Sequence, residues 1–98
     1  MKKMVVLYKA PADPDAFLRY YNETHLPLVD KIPGLVRREV TRFDRTLLGD
    51  GYFLMAEMYF ADNESFKTAM RSPENAATGA DLANFAEGLA TVMIGEAQ

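Results

Sequence analysis

The chain has 98 residues, 49% of them hydrophobic, with 11 Lys and Arg against 14 Asp and Glu and a net charge of −3. That length makes one domain, residues 1–98, and the acidic balance argues against nucleic acid, which rewards clustered positive charge. Cysteine is absent, so disulfides, thiolate nucleophiles and zinc–sulfur sites are excluded together.

Lys3 to Ala10 reads as a strand, with Met4, Val5, Val6, Leu7 and Tyr8 apolar on both alternating faces. Met1-Lys2-Lys3 leads into this strand rather than into a signal-peptide core, and no apolar run reaches membrane-spanning length, so a cytoplasmic address is expected. Asp13 and Pro14 then supply a helix cap and first helical position. The helix carries Phe17, Leu18, Tyr21, His25 and Leu28 near one face. Pro27 has no N–H for the carbonyl of Glu23, which predicts a kink or break near His25. Leu35 to Arg45 is a more polar, alternating strand suited to a sheet edge. Thr46 to Gly51 is a hairpin loop displaying Leu47 and Leu48, as dimer or lid contacts.

Tyr52 to Ala61 carries the strongest strand signal, apolar on both faces except for Glu57. Leu54, Ala56, Met58 and Phe60 share one face; Phe53, Met55, Glu57 and Tyr59 share the other. Asp62 caps a helix with Phe66, Ala69 and Met70 on its inner face. Ser72-Pro73-Glu74 starts another, carrying Ala76, Ala77, Ala80, Ala83 and Phe85. Gly88 ends it, and Leu89 to Ile94 is the last strand. The order βαββαβ matches the split-βαβ, ferredoxin-like pattern: an α+β fold with an antiparallel four-stranded sheet and helices on one face. Phe53, Met55 and Tyr59 would leave the other face apolar and open, so a second copy packed sheet on sheet is expected, forming a dimeric α+β barrel.

With these segments in view, the chain resembles the EthD family, named for ethyl tert-butyl ether degradation. The resemblance rests on Tyr20-Tyr21-x-x-Thr24-His25-x-Pro27-Leu28, Lys31-Ile32-Pro33-Gly34-Leu35 and Ala56-Glu57-Met58-Tyr59-Phe60. Ser72-Pro73-Glu74 and Asp81-Leu82-Ala83-Asn84-Phe85-Ala86 extend it over nearly the whole chain. It implies a small barrel-forming homodimer associated with catabolism of small organic compounds, in a family whose members are often labelled oxidoreductases. Fold likeness of this kind does not choose a reaction.

His25, the single histidine, is the sharpest candidate. It follows Tyr21 by one helical turn and sits where Pro27 disturbs the backbone, so a freed carbonyl there could fix its tautomer and leave the other nitrogen for a ligand. The competing reading is a buried histidine that ties the kink together. Glu57 is expected on the dimer side, where burial would raise its pKa and suit it to act as a base; the structural alternative is pairing with an arginine such as Arg37. Tyr21 is a candidate to orient a ligand, and Phe85 and Asn84 are placed near the rim of a pocket beneath the helices. With Ser65 and Ser72 both at helix starts, no serine triad is expected; nor is a phosphate-cradling loop or dinucleotide fingerprint present.

The leading expectation is a homodimer that binds a small, largely apolar organic ligand. His25 would act as general acid/base, assisted by Tyr21 and Glu57, with no metal, flavin or nicotinamide cofactor. The alternative is an accessory or carrier protein that delivers a metabolite or docks on an oxygenase. A third reading makes His25 an axial haem ligand.

Overall fold

The computed structural model describes all 98 residues. Strand β1 is Lys2–Tyr8, helix α1 is Pro14–Tyr20, and a π-helical turn, Tyr21–His25, leads directly into α2, Leu26–Val29. Strands β2 (Leu35–Arg42) and β3 (Leu54–Phe60) follow, then α3 (Asn63–Met70), α4 (Pro73–Phe85) and β4 (Ala90–Glu96). The sheet order is β2-β3-β1-β4, with every neighbouring pair antiparallel. This is the ferredoxin-like α+β arrangement expected from the element order.

The helix starts form where the local chemistry places them. Asp13 accepts from the Ala16 N–H at 3.1 Å, Asp62 from Ser65 at 2.8 Å, and the Ser72 hydroxyl from Asn75 at 3.1 Å. Each cap satisfies a donor that the first helical turn leaves without a partner. Gly88 carries the chain from α4 into β4 at a φ of 76°, a conformation that L side chains rarely adopt.

One sheet face lies under the helices. Val6 and Tyr8 from β1 join Leu54, Ala56, Met58 and Phe60 from β3, all buried, and meet Phe17, Tyr21, Val29, Phe66 and Ala69. Burial of a side chain the size of Phe60 contributes ~2 kcal/mol or more. The opposite face carries Val5, Leu7, Met55, Tyr59 and Met93 by register, together with Lys3, Arg37, Glu39 and Glu57.

One sequence expectation needs correction. Phe53 does not lie on the open face: the chain bends before β3 begins, and its ring packs edge-on against Phe17 of α1 at 5.6 Å. The alanines that the sequence places along α4 do not face the sheet. Ala76, Ala77, Ala80 and Ala83 are exposed, whereas Thr78 and Asp81 are buried. Small side chains tolerate water at little cost, so the stripe that includes the larger Leu82 and Phe85 turns inward.

Candidate functional site

The site begins at the π-helical turn. The Leu26 N–H donates to the Tyr21 carbonyl, five residues back rather than four. Pro27, second residue of α2, has no N–H to donate to the hydrogen-bond ladder. The helix is therefore widened at His25 rather than broken, which refines the expected kink. Asn22, Glu23 and Thr24 over this turn are exposed, so water can take a carbonyl the ladder releases. Such turns recur at functional sites. Here the turn puts Tyr21 and His25 on the inner face, their rings stacked at 5.5 Å and 26°.

His25 is 3% exposed and its Nδ1 lies 3.0 Å from Asp81 Oδ2. This carboxylate, not a freed backbone carbonyl, fixes the ring. Asp81 Oδ1 accepts from the Tyr20 hydroxyl at 2.6 Å and from Asn84 Nδ2 at 3.0 Å. Burial pushes the Asp81 carboxyl upward, but hydrogen bonds from Tyr20, Asn84 and His25 outweigh it and leave the pKa below the ordinary value. Burial likewise lowers the His25 pKa, and the neighbouring Asp81 offsets this only in part. At neutral pH the pair is thus an ionised carboxylate and a neutral imidazole. An ionised carboxylate only accepts, so Nδ1 carries the proton and Nε2 keeps its lone pair.

His25 lines a cavity of about 230 Å³ between the helices and the sheet. Sixteen residues line it and twelve are hydrophobic, among them Val6, Ala56 and Met58 from the sheet and Ile32, Met70 and Leu82 from the helical layer. The Tyr21 hydroxyl is the only fully buried side-chain polar atom without a partner, and Nε2 makes no hydrogen bond within the chain. The cavity opens at β4, where Val92 and Ile94 line it yet remain 49% and 57% exposed. A cavity of about 150 Å³ accepts benzene and drug-sized ligands need about 300 Å³ or more, so this one suits a molecule of one or two rings.

The structure brings some of the expected residues together and separates others. His25 and Tyr21 line the cavity. Glu57 lies on the opposite sheet face, where it accepts from Lys3 Nζ at 2.8 Å and from the Tyr59 hydroxyl at 3.2 Å. Its pKa is lowered, chiefly by the Lys3 hydrogen bond, which reverses the expected upward shift. Arg37 approaches the same group by lying 3.9 Å over the Tyr59 ring instead of pairing with Glu57. Asn84 supports Asp81, and Phe85 packs against the imidazole at 4.7 Å and Tyr20 at 5.3 Å. Both border a shallower recess on the outer side of that cluster, not the cavity. Asp81 itself was missed from the sequence. Its signal was present in the spacing of Thr78, Asp81, Leu82 and Phe85 on one helical stripe, obscured by the alanines beside it.

No group of three or more His, Cys, Asp or Glu side chains converges as a metal site, and no helix is long and apolar enough to cross a membrane. The model of the EthD domain matches residues 9–88. An uncharacterised 11.0 kDa protein of Rhodococcus erythropolis, from the thcB–thcC intergenic region, is 36% identical over 95 residues, covering 95% of this chain and 91% of that protein. A crystal structure of an ethyl tert-butyl ether degradation (EthD) family protein from Bacillus halodurans C-125 superposes with a TM-score of 0.93 at 45% identity, covering 100% of this chain and 99% of that one. A dimeric ferredoxin-like protein of unknown function from Thermobifida fusca shares the fold at 15% identity, with a TM-score of 0.71 over 98% and 90% of the two chains.

Proposed function

Because the chain belongs to the EthD family, we propose that it binds a small, largely apolar organic molecule beside His25 and moves a proton on it without a cofactor. The observation that carries this reading is the 3.0 Å contact between His25 Nδ1 and Asp81 Oδ2 behind an apolar cavity. Asp81 holds the imidazole in one tautomer and stabilises the imidazolium formed when Nε2 takes a proton. Tyr21 and Phe85 hold the ring from its faces. Apolar walls strengthen these electrostatic interactions by excluding water. The same enclosure, with His25 buried between two aromatic rings, weighs against an axial haem ligand. Glu57 has no part in this chemistry, since the sheet separates it from His25.

The reading includes a homodimer. Val5, Leu7, Met55 and Met93 form an apolar stretch on the face without helices, and the dimeric Thermobifida protein offers a precedent in this fold. Placement of these proteins in catabolism of small organic compounds, with the oxidoreductase label common in the family, sets the biological context and not the chemistry.

Acetophenone tests the proposal, as a one-ring carbon acid of suitable size. The protein should accelerate deuterium incorporation into its methyl group in D2O. The rate should be constant at neutral pH and fall only below about 6.5, because the His25 pKa lies below its ordinary value. His25→Gln should remove about 10²-fold or more of the acceleration while acetophenone still binds. Binding with no acceleration by the unaltered protein would instead identify a carrier that delivers its ligand to an oxygenase or another enzyme.

A further inference from the structure

Two tyrosines stand side by side in the cavity wall. Tyr8, at the end of β1, and Tyr21, in the π-helical turn, meet edge-on beneath the helices with ring centroids 5.7 Å apart. Both line the cavity and both are 1% exposed. The Tyr21 hydroxyl is fully buried without a hydrogen-bond partner. Tyr8 lines the same cavity, and its hydroxyl has no hydrogen-bond partner other than the neighbouring Tyr21. The two hydroxyls influence each other without reaching full hydrogen-bond geometry. Leaving the buried Tyr21 hydroxyl unmatched costs about 1–3 kcal/mol, which a phenylalanine there would avoid.

From this pair the geometry points to an oxygen-binding subsite: the Tyr8 hydroxyl donates to a ligand carbonyl or enolate oxygen, with Tyr21 behind it donating to Tyr8. Burial keeps both phenols protonated, with Tyr21 pushed up to about 12 and Tyr8 higher still, so both remain donors across the physiological range. Hydroxyl hydrogens rotate freely, and a chain of two donors polarises the terminal O–H. Tyr8 is the residue that touches the ligand; Tyr21 is a positioning residue acting through it.

The inference rests on His25 as the base and names the substrate class for that site: a small aryl or alkyl ketone with an acidic C–H next to its carbonyl. His25 Nε2 takes that proton. The C–H electron pair becomes the C=C bond of the enolate, and the carbonyl π pair moves onto oxygen, where the Tyr8 O–H meets it. Return of a proton from Nε2 to carbon restores the ketone, so the exchange needs no oxidant or co-reactant. Donors aimed where negative charge develops are worth more in the transition state than in the ground state.

Acetophenone and cumene separate the contributions, since cumene has the same outline and no oxygen. Tyr8→Phe should weaken acetophenone about tenfold and leave cumene unchanged. In the unaltered protein the carbonyl stretch of bound 13C-labelled acetophenone should fall below its value in hexane, and Tyr8→Phe should restore it. Tyr21→Phe should restore it in part, with KM for exchange little altered and kcat reduced. An unshifted carbonyl stretch in the unaltered protein overturns the subsite, as does acetophenone affinity unchanged by Tyr8→Phe. Equal weakening of both ligands also overturns it, because the oxygen is then not recognised. A shifted stretch with no deuterium exchange leaves the oxygen subsite standing and removes the base.

Discussion

His25 and Asp81 illustrate how a residue's chemistry depends on partners distant in the chain. They are 56 positions apart, and the carboxylate gathers donors from Tyr20, His25 and Asn84. The arrangement has a consequence for stability. Folded His25 holds a proton more weakly than unfolded His25, so below about pH 6.5 the unfolded chain binds more protons. Stability should therefore decline as pH falls from about 6.5 through the lowered folded value and then level off for this group. The slope is at most ~1.4 kcal/mol per pH unit for one proton. Asp81, with a lowered pKa, contributes stability above its unfolded value that is lost as pH falls through its folded one, at more acid pH. Urea denaturation between pH 5 and pH 8 should show the first phase in the unaltered protein and lose it in His25→Gln. An identical slope in both would show that His25 is not held neutral by burial.

Among the elements, α4 has the inward face least evident from its composition. Its exposed alanines make it a helix whose small residues meet water, while the polar Thr78 and Asp81 are buried because each has a partner: the Glu74 carbonyl at 2.9 Å for Thr78 and three donors for Asp81. Gly79 stands on this helix at the cavity lining, with no atom within 4 Å of where a Cβ would lie. Gly79→Ala should stabilise the protein by ~0.8–1 kcal/mol through helix propensity alone, raising Tm by roughly 4–8 °C. Thermal melts followed by circular dichroism test this. A lower Tm would show that the space beside Gly79 is filled in solution, either by the helix packing more closely or by the second copy.

For the molecule as a whole, the two sheet faces have different roles. One carries the single core of the chain and, at β4, the open side of the cavity. The other divides into a polar corner, where Lys3, Glu57, Tyr59 and Arg37 engage one another, and an apolar remainder around Leu7 and Met55. The corner explains how Tyr59 comes to be buried within one chain, contrary to its reading as an exposed patch residue. The apolar remainder is what a second copy would cover. Met55→Lys should place an unpaired ammonium in that contact and convert a dimer to monomers, seen by sedimentation at micromolar concentration. A dimer unaffected by Met55→Lys would move the interface to another surface, with Leu47 and Leu48, 87% and 94% exposed on the β2–β3 loop, next to be altered.

Sequence alone determined the element order, the three helix caps and the alternation that buries Leu54, Ala56, Met58 and Phe60. These follow from local rules: a cap acts within three residues and a strand alternates with a period of two. Only the tertiary structure decided which group fixes the imidazole, which face of α4 turns inward, and that Glu57 is separated from His25 by the sheet. Each of those depends on contacts between segments tens of residues apart, where packing and the need to satisfy buried polar groups outweigh local preference. Tyr8 is the clearest case. Its strand position marks it as core, and core it is, but its proposed role depends on the cavity it lines and on Tyr21 of the π-helical turn beside it.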